Sequence, residues 1–330
     1  MKYIKTMITA LSVLFLSGCT SSNNINDDKI NIVTSFYPIY SIAEEIVKNS
    51  PNINITNMTT PSSGCLPDYQ LTSGDMKKLS KADMFIINGG DMESFVDEIE
   101  NSLPNLEIVD TSTGTYMLEG EGHNHEHDEH DEHNHEEEGH IHSEDDGHDH
   151  GNLNAHIWLS PENALIQAEN IYSALCNIDY ENEPLYRKNL DNFSLSIENL
   201  KKETKDIHFE EKNAAVFHEG YIYFANEYGF DIKAEIYMDE NTDPSPSLLA
   251  HTIDEVKENN ITALLCADDA SLKIAETVSR VTGAKIYILD PLTYGNTENE
   301  SYTEIMLKNA NTIKEAFKWQ KHITVVVSVV

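Results

Sequence analysis

Ten of the fifteen histidines fall between His123 and His150, interleaved with aspartate and glutamate. They are His123, His125, His127, His130, His133, His135, His140, His142, His148 and His150. Imidazole is mostly neutral above its reference pKa of ~6.5 and is then a good ligand for zinc, copper or nickel. The carboxylates between them raise the local cation concentration without fixing a geometry. The run has no apolar pattern, so it cannot build a core and reads as a loop spanning about 120–152. Its chemistry is that of a weak, multi-site metal collector; the bland alternative is a solvated acidic linker.

A loop of that kind cannot hold one ion in a defined shell, so ordered ligands must come from elsewhere. Four places qualify. His156 lies just past the loop, in Asn154-Ala155-His156-Ile157-Trp158-Leu159. His218 follows the β-rich run Ala215-Val216-Phe217, and Asp290 follows Tyr287-Ile288-Leu289. The fourth is Ser62-Ser63-Gly64-Cys65-Leu66-Pro67-Asp68-Tyr69. In open parallel sheets ligands bind outside the carboxyl ends of strands, so these positions could face one cleft.

The elements that must carry them alternate. Strands are expected at Ile30–Phe36, Ile53–Met58, Met84–Asn88 and Leu106–Val109. Between the first two, Ile39, Ile42, Ala43, Ile46 and Val47 follow one helix face. Thr72 with Asp75 three residues on has the form of a helix start. After the loop, Tyr186, Leu190, Phe193, Ile197 and Leu200 recur at helical spacing, which predicts one long amphipathic helix near Glu183 to Lys205. Strands return at Ala214–Phe217, Ile232–Tyr237, Ile261–Leu265 and Ala284–Leu289, with a last helix from Ser301 to Phe317. The fold class is α/β: two lobes, each a parallel sheet flanked by helices, bridged by one long helix. Cys176 sits in a helical pattern and is expected in the core. Cys65 and Cys266 both fall just beyond predicted strand ends, one in each half.

The chain of 330 residues carries a formal charge of −35, and Glu121 to His150 contains thirteen acidic residues with no lysine or arginine. Such a field repels phosphate, which excludes nucleic acid as a default partner. Lys2 and Lys5 precede an apolar run from Met7 to Leu16 that is too short to span a bilayer, so residues 1–18 read as a signal peptide. The run closes in Leu16-Ser17-Gly18-Cys19, a lipobox pattern that marks Cys19 for lipidation and attachment to the bilayer. Residues 19–28 then form a polar tether. The first lobe is expected over 29–180, the bridging helix over 181–208 and the second lobe over 209–317, with 318–330 unassigned.

Ser35-Phe36-Tyr37-Pro38, Asp68-Tyr69-Gln70-Leu71-Thr72, Lys81-Ala82-Asp83-Met84-Phe85, His156-Ile157-Trp158-Leu159, Phe217-His218-Glu219-Gly220-Tyr221 and Leu289-Asp290-Pro291-Leu292 recur in one order. Together they resemble the zinc- and manganese-binding lipoproteins of metal ABC importers, over Lys29 to about Phe317. The resemblance implies two lobes with the metal between them, and an extracytoplasmic, lipid-anchored monomer that passes Zn²⁺ to an ABC permease in the cell membrane. It also implies that His156, His218 and Asp290 are metal ligands. The family's first ligand is usually a histidine directly before the Asp-Tyr pair; here that position is Pro67. The fourth place is open to water, to His148 or His150 of the loop, to Asp68 or to Cys65. Histidine at 218 suits zinc better than manganese, which prefers oxygen ligands. The alternatives are an Mn²⁺-binding relative, or a surface metal buffer or adhesin with a weakened site.

No enzyme is expected. His218-Glu219 has the form of a zinc-hydrolase helix start, but the fourth residue after His218 is Ile222 and not histidine. There is no Gly-rich phosphate loop and no Gly-x-Ser-x-Gly turn.

Overall fold

A computed structural model describes residues 29–59, 66, 69–120, 153–236, 245–267, 269–293 and 300–318. The first half runs β1 (Ile30–Thr34), α1 (Tyr37–Val47), β2 (Ile53–Asn57), α2 (Ser73–Leu79), β3 (Met84–Ile87), α3 (Val96–Ser102) and β4 (Glu107–Asp110). Then come α4 (Pro161–Ile178) and the long α5 (Glu183–Thr204). The second half runs β5 (Asn213–Val216), α6 (Ile222–Tyr228), β6 (Asp231–Glu235), α7 (Pro246–Glu258), β7 (Ala263–Cys266), α8 (Asp269–Thr282), β8 (Lys285–Ile288) and α9 (Tyr302–Lys318).

The strands form two separate four-stranded sheets with every pairing parallel. Their orders are β2-β1-β3-β4 and β6-β5-β7-β8, so the second sheet repeats the winding of the first. In each, the chain winds outward in both directions from its two central strands. The crevice between those strands at their carboxyl ends is where such folds bind ligands. Ser35 and Asn88 follow β1 and β3, and Phe217-His218 follows β5. Strands buried on both faces need continuous apolar runs. Met84–Ile87 and Ala263–Cys266 supply them, with every residue buried.

Helix ends agree with local chemistry. Thr72 and Asp75 form the expected capping box at the start of α2: the Thr72 hydroxyl accepts from the Asp75 amide, and the Asp75 carboxylate accepts from the Thr72 amide at 2.9 Å. Tyr69 adds its hydroxyl to the same carboxylate at 2.9 Å. The α5 helix buries Tyr186, Asn189, Leu190, Phe193, Ile197, Leu200 and Thr204 along one stripe. It packs on α1 and α4 of the first half and on α9 of the second, and so braces both lobes.

One apolar core runs from β1 and α1 through Trp158 and α5 into α6 and α9. A second, smaller one fills the space between the outer face of the second sheet and α7 and α8. Cys176 departs from the expectation of a core residue: it is only half-buried on α4, whose buried stripe runs through Ala168, Ile171, Ala174 and Leu175. Among the described residues no helix is long and apolar enough to cross a membrane.

Candidate metal centre

Three chain segments meet where the lobes face each other. The first is 153–160. Its entry is pinned by an antiparallel bridge between Glu119 and Leu153, and by the Asn154 amide donating to the Leu118 carbonyl at 2.8 Å. The Tyr223 hydroxyl from α6 donates to the Asn154 carbonyl at 2.6 Å. Leu153 and Asn154 therefore hold a fixed place just before His156. The second segment is the tight turn after β5, Phe217 to Tyr221. The third follows β8, from Leu289 to Thr293.

Side chains lace the three together. The Trp158 indole N–H donates to the Pro291 carbonyl at 2.8 Å, and the Tyr302 hydroxyl donates to the Trp158 carbonyl at 2.7 Å. The Tyr221 hydroxyl donates to the Leu289 carbonyl at 2.6 Å. Each of these polar groups is buried, where an unmade bond costs about 1–3 kcal/mol, so the segments hold one arrangement.

His156 is 2 % exposed, and its ring lies 4.9 Å from the His218 ring at a steep angle. The Asn154 side chain settles its protonation geometry. The amide Nδ2 donates to the Glu219 carbonyl at 3.0 Å, so the amide Oδ1 must be the atom facing His156. That oxygen accepts from the His156 backbone N–H at 3.0 Å and lies 2.9 Å from the ring Nδ1. An oxygen with only lone pairs to offer requires a proton on Nδ1, which leaves Nε2 with the lone pair. Burial holds the His156 pKa well below the ordinary histidine range. The ring is thus neutral at physiological pH, as a metal ligand must be. Its Nε2 points toward the Glu219 carboxylate, with Oε1 at 3.6 Å.

His218 caps its own turn. Its Nδ1 accepts from the Gly220 amide at 3.1 Å, and its ring rests 5.2 Å from that of Tyr221. Gly220 is needed for contact rather than conformation. A Cβ there would come within 2.9 Å of the His156 Cβ and Cγ and 2.7 Å of the Leu159 Cδ1. Asp290 is clamped by Asn309 of α9, which accepts from its amide and donates to its carbonyl, both at 2.8 Å. The Asp290 side chain remains open to solvent, yet enough protein surrounds the carboxyl to raise its pKa above the usual carboxylate value. One of its oxygens accepts from the Leu292 amide at 2.7 Å.

The structure thus brings His156 and His218 together and carries Asp290 on a segment tied to both. It does not gather a ready-made trio: among the described residues, no group of three or more His, Cys, Asp or Glu is placed to hold one ion. Cys19, Cys65, Pro67, Asp68 and the loop histidines His123, His125, His127, His130, His133, His135, His140, His142, His148 and His150 lie outside the described residues. Cys266 is buried at the carboxyl end of β7. Two contributors escaped sequence reasoning. Asn154 is visible only as an asparagine two residues before a candidate ligand. Glu219 stands in the sequence reading within the Phe217–Tyr221 motif and a hydrolase pattern but not as a ligand, although its place beside His218 could have raised it.

Behind this centre, at the ends of β1 and β3, Glu93 is fully buried. Its carboxylate accepts from the amides of Asn88 at 2.8 Å and Gly89 at 3.0 Å, and burial raises its pKa to about 7. Asn88 in turn donates to the Ala155 carbonyl at 2.9 Å, which joins this network to the His156 segment.

Two parallel sheets of identical winding, a long bracing helix and paired imidazoles at the lobe junction define a two-lobed solute-binding protein. The model of the family described as "Zinc-uptake complex component A periplasmic" (ZnuA) matches residues 32–316. The chain belongs to that family, whose members are metal-binding solute-binding proteins of ABC importers and not enzymes. It is 29% identical over 328 residues to the high-affinity zinc uptake system protein ZnuA of Bacillus subtilis, covering 96% of this chain and 98% of that one. It is 30% identical over 327 residues to the zinc-binding protein AdcA of Streptococcus pyogenes, of which it spans only 61%. The zinc-bound ZnuA-like domain of Streptococcus pneumoniae AdcA superposes with a TM-score of 0.69 at 22% identity, covering 87% of this chain and 98% of that one. The metal-dependent lipoprotein YcdH of Bacillus subtilis does so with 0.66 at 25% identity, again over 87% and 98%.

Proposed function

We infer that this protein captures Zn²⁺ outside the cell, holds it between its lobes and hands it to a membrane permease. His156 supplies Nε2, His218 supplies an imidazole nitrogen once its Nδ1 gives up the bond from the Gly220 amide, and Asp290 supplies a carboxylate from the facing segment. The His-rich run gathers ions and delivers them to the segment of His156. Lipidated Cys19 keeps the protein at the membrane surface, close to the permease. The observation that carries this reading is the buried His156 ring. Its Nδ1 proton is committed to Asn154, so its Nε2 lone pair is presented beside a second imidazole. Two imidazoles favour zinc over manganese. The zinc named in the descriptions of ZnuA and AdcA supports the same choice.

The continuous core through α5 favours limited closure over a wide hinge, since large rotations would tear apolar contacts shared by both lobes. A second reading, a weakened site in a surface metal buffer, is favoured by the lack of a three-donor group among the described residues. Titration calorimetry with zinc on the full chain, His156→Ala and His218→Ala separates the two. A tight event of one ion per chain that disappears in both variants supports capture by this pair. A tight event retained in both overturns the ligand assignment. Removing residues 121–150 should lower the stoichiometry more than the tightest affinity.

A further inference from the structure

Resting on that reading, we propose that the Glu219 carboxylate is a direct metal ligand, occupying the place in the shell that Pro67 cannot fill. The distance supports it. Zinc binds imidazole nitrogen and carboxylate oxygen at ~2.0–2.2 Å with tetrahedral angles, so two ligand atoms of one ion stand about 3.4 Å apart. His156 Nε2 and Glu219 Oε1 are 3.6 Å apart, a near match that requires a shift of a few tenths of an ångström.

The protonation geometry supports it independently. Asn154 Nδ2 bonded to the Glu219 carbonyl orients the amide, and the amide oxygen places the His156 proton on Nδ1. A lone pair on Nε2 then faces a carboxylate oxygen. A divalent ion placed between them would be bonded by both atoms.

The scaffold holds the pair in place. The backbone of Glu219 is fixed from both sides, by Asn154 on its carbonyl and by the turn in which the Tyr221 amide donates to the His218 carbonyl at 3.1 Å. Gly220 lets this turn lie directly against His156. The Glu219 side chain is 37% exposed, so an ion can reach it from solvent, while His156 is buried beside it. A carboxylate in this position also lowers the net charge of a zinc centre from two to one, and with Asp290 to zero. A neutral centre costs least to bury.

The test uses the full chain and zinc alone, in competition with a chromophoric chelator, with Glu219→Gln, Glu219→Asp and His156→Ala side by side. Glutamine keeps the shape and removes the charge. Even partners outside the coordination shell are worth about 10–100-fold in metal affinity, so loss of a direct ligand should weaken the tight site by at least about tenfold. Cobalt(II) gives a second readout: its visible absorption should change in Glu219→Gln, because the donor set changes, while Glu219→Asp keeps an oxygen donor and part of the affinity. Unchanged zinc affinity and an unchanged cobalt spectrum in Glu219→Gln, with the tight site lost in His156→Ala, would overturn the assignment of Glu219 alone. A tight site surviving in His156→Ala would overturn the underlying site as well.

Discussion

Replacing Asn154 with alanine isolates what the amide does for the metal centre. Three hydrogen bonds disappear: those to the His156 backbone N–H, to the His156 ring and to the Glu219 carbonyl. At about 1 kcal/mol net each, the metal-free protein should lose about 3 kcal/mol of stability. The effect on binding has a different origin. Without the amide oxygen the proton is no longer held on Nδ1, and the ring is free to place it on Nε2 and to turn. Apparent affinity scales with the fraction of molecules in the competent form, so a fall of that fraction to about one tenth weakens binding about tenfold. The expected loss is about 10–100-fold, or roughly 1.4–2.7 kcal/mol. Asn154→Asp supplies the discriminating control, because its carboxylate still accepts from Nδ1–H while losing only the donation to Glu219. Competition against a zinc chelator at neutral pH reads affinity, and thermal unfolding of chelator-stripped protein reads stability. If Asn154→Ala loses stability but binds zinc as tightly as the parent, the amide is a structural tie and the tautomer argument is wrong. If Asn154→Asp falls as far as Asn154→Ala, the acceptor role is wrong.

Gly220→Ala should displace the His156 ring, since its Cβ would come within 2.9 Å of the His156 Cβ and Cγ. Zinc affinity should fall by at least about tenfold with about 1–3 kcal/mol of destabilisation, read by the same two assays. Glu93 makes stability depend on pH. Its pKa rises from 4.5 unfolded to about 7 folded. Between these values the native state holds a proton the unfolded state has lost, so stability falls as pH rises and levels off above about 7. The total, (7 − 4.5) × ~1.4, is about 3–4 kcal/mol. Denaturant midpoints of the metal-free protein from acid to mildly alkaline pH, compared with Glu93→Gln, should show this slope in the parent alone. A constant difference between the two would contradict the buried, protonated carboxyl.

Much of the fold was legible because strands and helices advertise their burial locally. The apolar runs Met84–Ile87 and Ala263–Cys266, the spacing of Tyr186 through Leu200 and the Thr72/Asp75 box each name an element within a few residues. Cys176 was misjudged because half-burial depends on which neighbours α4 finds, which its own spacing does not record. The repeated sheet order was likewise illegible, since parallel pairing joins segments tens of residues apart. At the site, His156, His218 and Asp290 could be singled out one at a time from their places after strands and in recurring motifs.

The sequence alone therefore determined the class of fold and pointed to an export signal and a short roster of candidate metal-binding side chains, because those are written in composition, period and local motif. Tertiary structure decided which of them meet. It set His156 against His218, turned Asn154 into the group that fixes a proton, and brought the Glu219 carboxylate to 3.6 Å from an imidazole nitrogen sixty-three positions earlier in the chain. Coordination depends on distances of a few tenths of an ångström between atoms from different lobes, and only the packing of those lobes sets such distances.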